Sequence, residues 1–185
     1  MYVSDDMVRG MIERYGEPET ASFRFAVDKR EYGVIIGSQK HGRNHDVTVY
    51  AFKGDEVIVI AKPFYPQGLF RAPSGGLVPG ESFEDGIARE MHEETGCEIA
   101  LEHFLLRTAV TFTFGDKEID WQSFVFQARY TEGDFRFTDH REIREARVAG
   151  LAEFQRFSRI MRQSDVGGLH YRAALHEAVL PLLRL

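Results

Sequence analysis

Three glutamates lie close together near the middle of the chain, at Glu90, Glu93 and Glu94. At about 100° per residue on a helix, their side chains fall within an arc of roughly 100°. Their mutual repulsion costs roughly a few tenths of a kcal/mol per pair in water, and a bound divalent cation would remove that cost. Because no set of cysteine and histidine ligands accompanies these oxygen donors, the pattern favours Mg²⁺, with Mn²⁺ as a substitute, over zinc. The competing interpretation is a solvated acidic helix face.

The helix that must carry these carboxylates is predicted over residues 83–95. Ser82 and Asp85 can form a capping box at its start, and Gly96 can take the left-handed conformation that ends it. The side expected to face the core carries Ile87, Ala88, Met91 and Thr95.

The segment before this helix is rich in proline and glycine, which a solvated helix would not need. It contains Pro73, Gly75, Gly76, Pro79, Gly80 and then Glu81. Gly75, five residues, Glu81, seven residues and the run REMHEETGC at 89–97 together resemble the Nudix box of the Nudix hydrolase superfamily. Met91 and Cys97 stand at the two apolar positions of that motif.

The resemblance implies an α/β (α+β) fold, a Nudix-type α/β/α sandwich with a mixed sheet and a loop–helix catalytic motif. It also implies a pyrophosphohydrolase that cleaves a nucleoside diphosphate linked to another moiety, with water attacking a phosphorus. By position in the motif, Glu90, Glu93 and Glu94 would bind one to three Mg²⁺ ions, and Gly75 would offer its backbone carbonyl.

The same resemblance suggests roles for the other charged residues of the box. Glu81 would support a metal-bound water or orient a ligand, and Arg89 would hold a catalytic carboxylate in place. Arg89 also lies four residues before Glu93, so the two can form an ion pair along the helix.

The general base would be Glu93 or Glu94, unless a later carboxylate takes that role. Residues 139–148 resemble the segment where many Nudix enzymes place a further catalytic or metal-binding glutamate. Glu142 and Glu145 are the candidates, with a slight preference for Glu142, and surface ion pairing with nearby arginines is the alternative.

The substrate class stays open between nucleoside triphosphates, dinucleoside polyphosphates, nucleotide sugars and capped RNA. ADP-ribose pyrophosphatases typically have a glutamate two residues before the proline of the box, and Arg71 stands there instead, which discounts that subfamily. The net charge of −6 argues against a general nucleic-acid binder and makes a metal necessary to attract phosphates.

The length and composition favour one soluble globular domain over residues 1–185, with 1–30 as an N-terminal extension and 152–185 as C-terminal helices. The single cysteine excludes an internal disulfide and fits a reducing interior, so we expect a cytoplasmic protein. No apolar run approaches ~20 residues, so no membrane span is expected. Nudix relatives are often dimers, which makes a homodimer one expectation.

The remaining elements follow from periodicity. We predict helices at 4–15, 152–161 and 169–180, strands at 32–36, 46–52 and 56–60, and an antiparallel pair at 104–114 and 119–130. The loop 37–44, with Lys40, His41 and Arg43, is interpreted as facing solvent rather than binding phosphate. Trp121 is a candidate for stacking on a nucleobase or a core residue, and so are the aromatic residues of loop 62–71.

Two other classes of function compete with an enzyme. One is a Nudix-fold module that binds or senses nucleotides without turnover, and the other is a structural domain with an incidental acidic helix. The box keeps all of its carboxylates, which favours the enzyme.

Overall fold

The structure, a computed structural model, describes residues 2–39 and 42–184. Its helices are α1 (Asp5–Tyr15), α2 (Lys29–Ser38), α3 (Phe83–Thr95), α4 (Leu151–Arg162) and α5 (Gly167–Val179). Its strands are β1 (Glu19–Ala26), β2 (His45–Lys53), β3 (Glu56–Ala61), β4 (Ser74–Gly75), β5 (Cys97–Phe114), β6 (Lys117–Gly133) and β7 (Glu145–Gly150). None of these helices is long and apolar enough to cross a membrane.

The strands of the described chain form one mixed sheet in the order β1-β5-β6-β2-β3-β7, and the short β4 pairs with β2. The β1–β5 and β2–β6 pairs are parallel, whereas β5–β6, β2–β3 and β3–β7 are antiparallel. The predicted hairpin is therefore confirmed as β5–β6, and it turns at Gly115, whose φ is +61°.

Each face of the sheet packs against its own helical layer. Because side chains alternate along a strand, Val57 and Val59 of β3 join the core beneath α4 and α5, while Ile58 joins the core beneath α1 and α3. Full burial of each such side chain contributes about 1.5–3 kcal/mol. The predicted α/β/α sandwich and the predicted buried strand at 56–60 are both confirmed.

Residues 19–38 differ from the prediction. The segment 32–36 was expected to be a strand and instead lies in α2, because Asp28 and Glu31 form a capping box that starts a helix. The preceding β1 was not predicted, since it is a half-exposed edge strand whose position depends on pairing with β5. Of the basic loop 37–44, Lys40 and His41 lie outside the described residues.

Candidate active site

The acidic helix α3 begins and ends where its caps predict. The Asp85 N–H donates to Ser82 Oγ over 3.1 Å, and Gly96 takes the left-handed conformation with φ 68° and ψ 21°. A Cβ on Gly96 would also lie 2.5 Å from the Arg136 carbonyl oxygen, so this position requires glycine for two reasons.

The orientation of α3 buries one of the three glutamates. Phe83, Ile87 and Met91 are buried against the sheet, and Glu94 points within about 20° of Ile87 around the helix. Glu94 is accordingly only 3% exposed. Ala88, expected on the core side, is exposed, because it lies at the border of the buried arc, about 100° from Ile87.

Arg89 holds the carboxylates of the loop and the helix together. Its guanidinium donates to both oxygens of Glu81, over 2.9 and 3.0 Å, and to the Gly76 carbonyl over 3.0 Å. Its Nη1 donates to Glu90 Oε1 over 2.9 Å and to Glu93 Oε2 over 3.2 Å. The predicted Arg89–Glu93 pair is thus present, as one part of a larger network.

Glu81 faces this network rather than the cavity described below. Its Oε2 also accepts a hydrogen bond from the Val78 N–H over 2.9 Å. Burial alone would raise the pKa of Glu81, but the hydrogen bonds from Arg89 and Val78 outweigh it, and the net pKa is lowered. Glu81 therefore stays ionised and fixes the guanidinium that orients Glu90 and Glu93.

Glu90 lies directly against the glycine-rich loop. Its Oε1 accepts the Gly76 N–H over 3.2 Å, and a Cβ on Gly75 would lie 1.9 Å from the Glu90 carboxyl carbon. Burial raises the pKa of Glu90, against the opposing effect of Arg89. Only glycine at position 75 leaves space for this carboxylate.

Glu94 is the most buried carboxylate of the motif. Its Oε2 accepts the Ser74 N–H over 3.0 Å. Burial raises the pKa of Glu94 to about 7, although the nearby charges of Arg71 and Lys62 act in the opposite direction.

A cavity of about 490 Å³ joins these carboxylates to residues from distant parts of the chain. Its acidic end is lined by Gly75, Glu90, Glu93, Glu94, Asp139 and Glu142. The segment that carries Glu142 is held against α3, because the N–H groups of Thr138 and Asp139 donate to the Glu93 carbonyl over 3.0 and 3.1 Å.

Of the two later glutamates, the structure places Glu142 in the cavity. Lys62 donates to Glu142 Oε2 over 2.6 Å, and this hydrogen bond is the main cause of its lowered pKa. Glu145 begins β7, is exposed and does not line the cavity.

The donor chemistry of this end of the cavity fits a divalent cation. Glu90, Glu93 and Glu94 supply hard carboxylate oxygens around a pocket that Gly75 keeps open. In the described part of the chain, no group of three or more aspartate, glutamate, histidine or cysteine side chains is arranged so that it could hold a metal ion without adjustment. Arg89 bridges two of these glutamates, and a backbone N–H engages the third.

Aromatic and further charged side chains also line the cavity. Phe112, Trp121 and Tyr171 line it, together with Asp46 and Arg172, whose side chains pair over 2.6 Å. The sequence indicated Trp121 as a candidate, but it carried no local signal for the pairing of two residues 126 positions apart.

Two further cations line the cavity. Arg43, on the loop interpreted as facing solvent, reaches this site. Arg71 is only 3% exposed, and its guanidinium donates to the Tyr65 hydroxyl over 2.8 Å and to Ser74 Oγ over 2.7 Å. The aromatic residues around it do not line the cavity: Phe64 is exposed, and Tyr65 and Phe70 are buried in packing contacts.

A mixed sheet between two helical layers, with a glycine-rich loop and an acidic helix lining one cavity, defines the Nudix class of α/β/α proteins. A model of the NUDIX domain family matches residues 40–166, more than half of the chain. The chain therefore belongs to the Nudix family.

Two curated relatives are both described as "NAD-capped RNA hydrolase NudC". The protein from Stutzerimonas stutzeri (strain A1501) is 32% identical over 75 residues, which cover 40% of this chain and 27% of that protein. The protein from Vibrio parahaemolyticus serotype O3:K6 (strain RIMD 2210633) is 27% identical over 110 residues, covering 58% of this chain and 38% of that protein. The matched segments thus span well under half of the length of these relatives.

Among solved structures, the crystal structure of the MutT NUDIX hydrolase from Burkholderia pseudomallei is similar with a TM-score of 0.51. The two chains are 20% identical, and the match covers 74% of this chain and 98% of that one. At this identity the likeness shows the shared fold alone.

Proposed function

We propose that this protein is a Nudix pyrophosphohydrolase that cleaves, with Mg²⁺, a nucleoside diphosphate linked to another moiety. The observation that carries the proposal is the cavity that brings the box carboxylates together with aromatic and basic side chains. A diphosphate needs a cationic environment and an in-line water, whereas a nucleoside needs an aromatic surface.

The acidic end would hold the metal. Glu90, Glu93 and Glu94 would bind Mg²⁺, with Mn²⁺ as a substitute, and Gly75 would contribute its backbone carbonyl. When bound, the metal neutralises the diphosphate and lowers the pKa of its bound water. Because the formal net charge of the chain is −6, this local reversal of charge is what would admit an anionic substrate.

The surrounding residues keep these carboxylates in position. Arg89, fixed by both oxygens of Glu81, holds Glu90 and Glu93 in the orientations seen here. Glu81 and Arg89 therefore act through other residues, and their loss would misplace the metal ligands.

Two carboxylates suit the role of general base. Glu93 and Glu142 line the cavity from different elements, and their side chains are 44% and 61% exposed, so each can meet a water. Either would take the proton of the water that attacks phosphorus, while the bond to the leaving phosphate breaks. Glu93→Gln and Glu142→Gln distinguish them, because only loss of the base removes the ascending limb of the pH–rate profile.

The substrate range would include small diphosphates with a nucleoside at one end. The curated relatives are described as acting on NAD-capped RNA, which contains such a diphosphate, so a capped RNA end belongs in the range to be tested. The aromatic lining of the cavity, formed by Phe112, Trp121 and Tyr171, would receive the nucleoside or the second moiety.

The experiment is hydrolysis of a panel of diphosphates by the full chain, with Mg²⁺ or with a chelator. The panel holds NAD, ADP-ribose, a nucleotide sugar, a dinucleoside polyphosphate, a nucleoside triphosphate and NAD-capped RNA. We expect phosphate-containing products from at least one compound in Mg²⁺ only, with ¹⁸O from labelled water in one product.

Glu94→Gln removes a carboxylate from the cavity, and Glu98→Gln, which removes one that pairs with His92 outside the cavity, is its matched control. We expect loss of turnover in the first variant and full turnover in the second. Tight Mg²⁺-dependent binding without turnover would instead identify a nucleotide-binding module, and absence of both would refute the proposal.

A further inference from the structure

Arg43 lies across the glycine-rich loop of the acidic site. It comes from the segment between α2 and β2, and it lines the same cavity as Gly75, Gly76 and Glu90. Its Nε donates to the Ser38 carbonyl at the end of α2 over 3.0 Å. The guanidinium is therefore held through Nε at the end of α2, and its Nη1 lies at the loop.

The residue at position 76 must be small for Arg43 to lie there. A Cβ on Gly76 would stand 1.7 Å from Arg43 Nη1 and 2.5 Å from its Cζ, far inside van der Waals contact. Gly76 does not have a positive φ, so an alanine there would meet no backbone strain. The glycine makes space for a guanidinium, just as Gly75 makes space for the Glu90 carboxylate.

The terminal nitrogens of Arg43 lie in the cavity without a partner in the part of the chain that the structure describes. Within residues 2–39 and 42–184, Nη1 and Nη2 have no hydrogen-bond acceptor, and the side chain forms no ion pair. By contrast, Lys62 pairs with Glu142, and Arg172 pairs with Asp46. Arg71 forms no ion pair among the described residues either, but it is only 3% exposed, and its Nε and Nη1 donate to Tyr65, Ala72 and Ser74. Among the described residues, Arg43 is thus the cavity cation with both terminal nitrogens unpartnered, beside the glycine-rich loop.

We infer that Arg43 binds a phosphate oxygen of the substrate, and that Gly76 is a glycine because this guanidinium must cross it. The planar guanidinium suits a phosphate, since two parallel N–H donors can meet two oxygens. The inference rests on the proposed function and names a phosphate-binding residue for the same site.

The test measures binding of α,β-methylene ADP, a nucleoside diphosphate analogue whose bridging group resists hydrolysis, to the full chain in Mg²⁺ by calorimetry. We expect Arg43→Met to weaken binding by about 10–100-fold, as loss of a charge-assisted contact implies. Arg43→Lys should recover part of this loss, because it keeps the charge but not the fork. The KM of the substrate found by the panel should rise in parallel.

Gly76→Ala tests the steric step, because its Cβ must push the guanidinium aside while the charge stays. We expect weakened binding, and no further weakening when Gly76→Ala is added to Arg43→Met, since both changes remove one contact. Gly10→Ala in α1, where a Cβ meets only ordinary contacts, and Arg162→Met on the surface are the matched controls.

The outcomes separate this inference from the proposed function. If the wild-type chain binds and hydrolyses diphosphates while Arg43→Met binds the analogue equally well, the inference is wrong and the function stands. If the two changes weaken binding additively, Gly76→Ala acts by a route other than displacement of Arg43, and the steric step is wrong. If the wild-type chain neither binds nor hydrolyses any diphosphate, both proposals fail.

Discussion

Replacing Arg89 by methionine should destabilise the metal-free protein by about 2–3 kcal/mol. The side chain makes five hydrogen bonds, to Glu81, Glu90, Glu93 and the Gly76 carbonyl. Breaking a fully buried ion pair costs about 3–5 kcal/mol, whereas a surface pair is worth about 0–1 kcal/mol. Arg89 is 29% exposed and its partners Glu81 and Glu90 only 11% and 18%, which places the loss between these limits.

The measurement is urea unfolding at pH 8 in a chelator, where the carboxylates are ionised and metal does not contribute. Arg162→Met is the control, because Arg162 pairs with Glu177 in the same two-pronged geometry, but with both side chains nearly half exposed. We expect a loss of less than about 1 kcal/mol for the control, with unchanged m-values in both variants.

Turnover should also fall in Arg89→Met, by about 10–100-fold, because Glu90 and Glu93 lose the group that orients them. Arg89→Lys should retain part of the stability but little of the activity, since an ammonium cannot span acceptors on four residues. The reasoning would be refuted if Arg89→Met lost no more stability than Arg162→Met.

Three further predictions address burial, pH and backbone conformation. Glu94→Gln should abolish Mg²⁺-dependent hydrolysis without lowering the metal-free unfolding free energy, because glutamine keeps an acceptor and brings no charge into a buried position. Burial, aided by nearby arginines, lowers the pKa of His176 from 6.5 to about 3. At these pH values His176 binds a proton in the unfolded chain but not in the folded one. The free energy of unfolding therefore falls as pH drops from about 6.5 towards 3, by up to about 1.4 kcal/mol per pH unit. His176→Phe should reduce this slope in urea titrations at successive pH values, and an unchanged slope would contradict it. Gly96→Ala should cost at least about 1 kcal/mol more than Gly54→Ala, because both glycines have a positive φ but only Gly96 also lies against the Arg136 backbone. Equal losses of stability in thermal unfolding would show that the close approach of Gly96 to the Arg136 backbone is unimportant.

Much of the site was predictable because its signals are local. Ser82, Asp85 and Gly96 determine the ends of α3 through contacts within a few residues, and the spacing of the motif identified the carboxylates and glycines of the cavity. The hairpin β5–β6 was likewise predictable from alternation on both sides of a short turn.

Residues 19–38 were not predictable in the same way. The half-exposed β1 has no strong period of its own and becomes a strand only by pairing with β5, more than 80 residues later. For α2, the local cap between Asp28 and Glu31 was present in the sequence, but the short apolar run 32–36 suited a strand equally well.

The sequence by itself determined the ends of α3 and the grouping of its glutamates, because helix periodicity and caps act over three or four residues. Only the tertiary structure decided how far each glutamate is buried and which other groups lie beside them. It buried Glu94 by the rotation of α3 against the sheet, brought Glu142 rather than Glu145 to the cavity, and placed Arg43 across Gly76. These contacts join segments far apart in the chain, and their geometry depends on how the layers pack, which no local pattern of residues encodes.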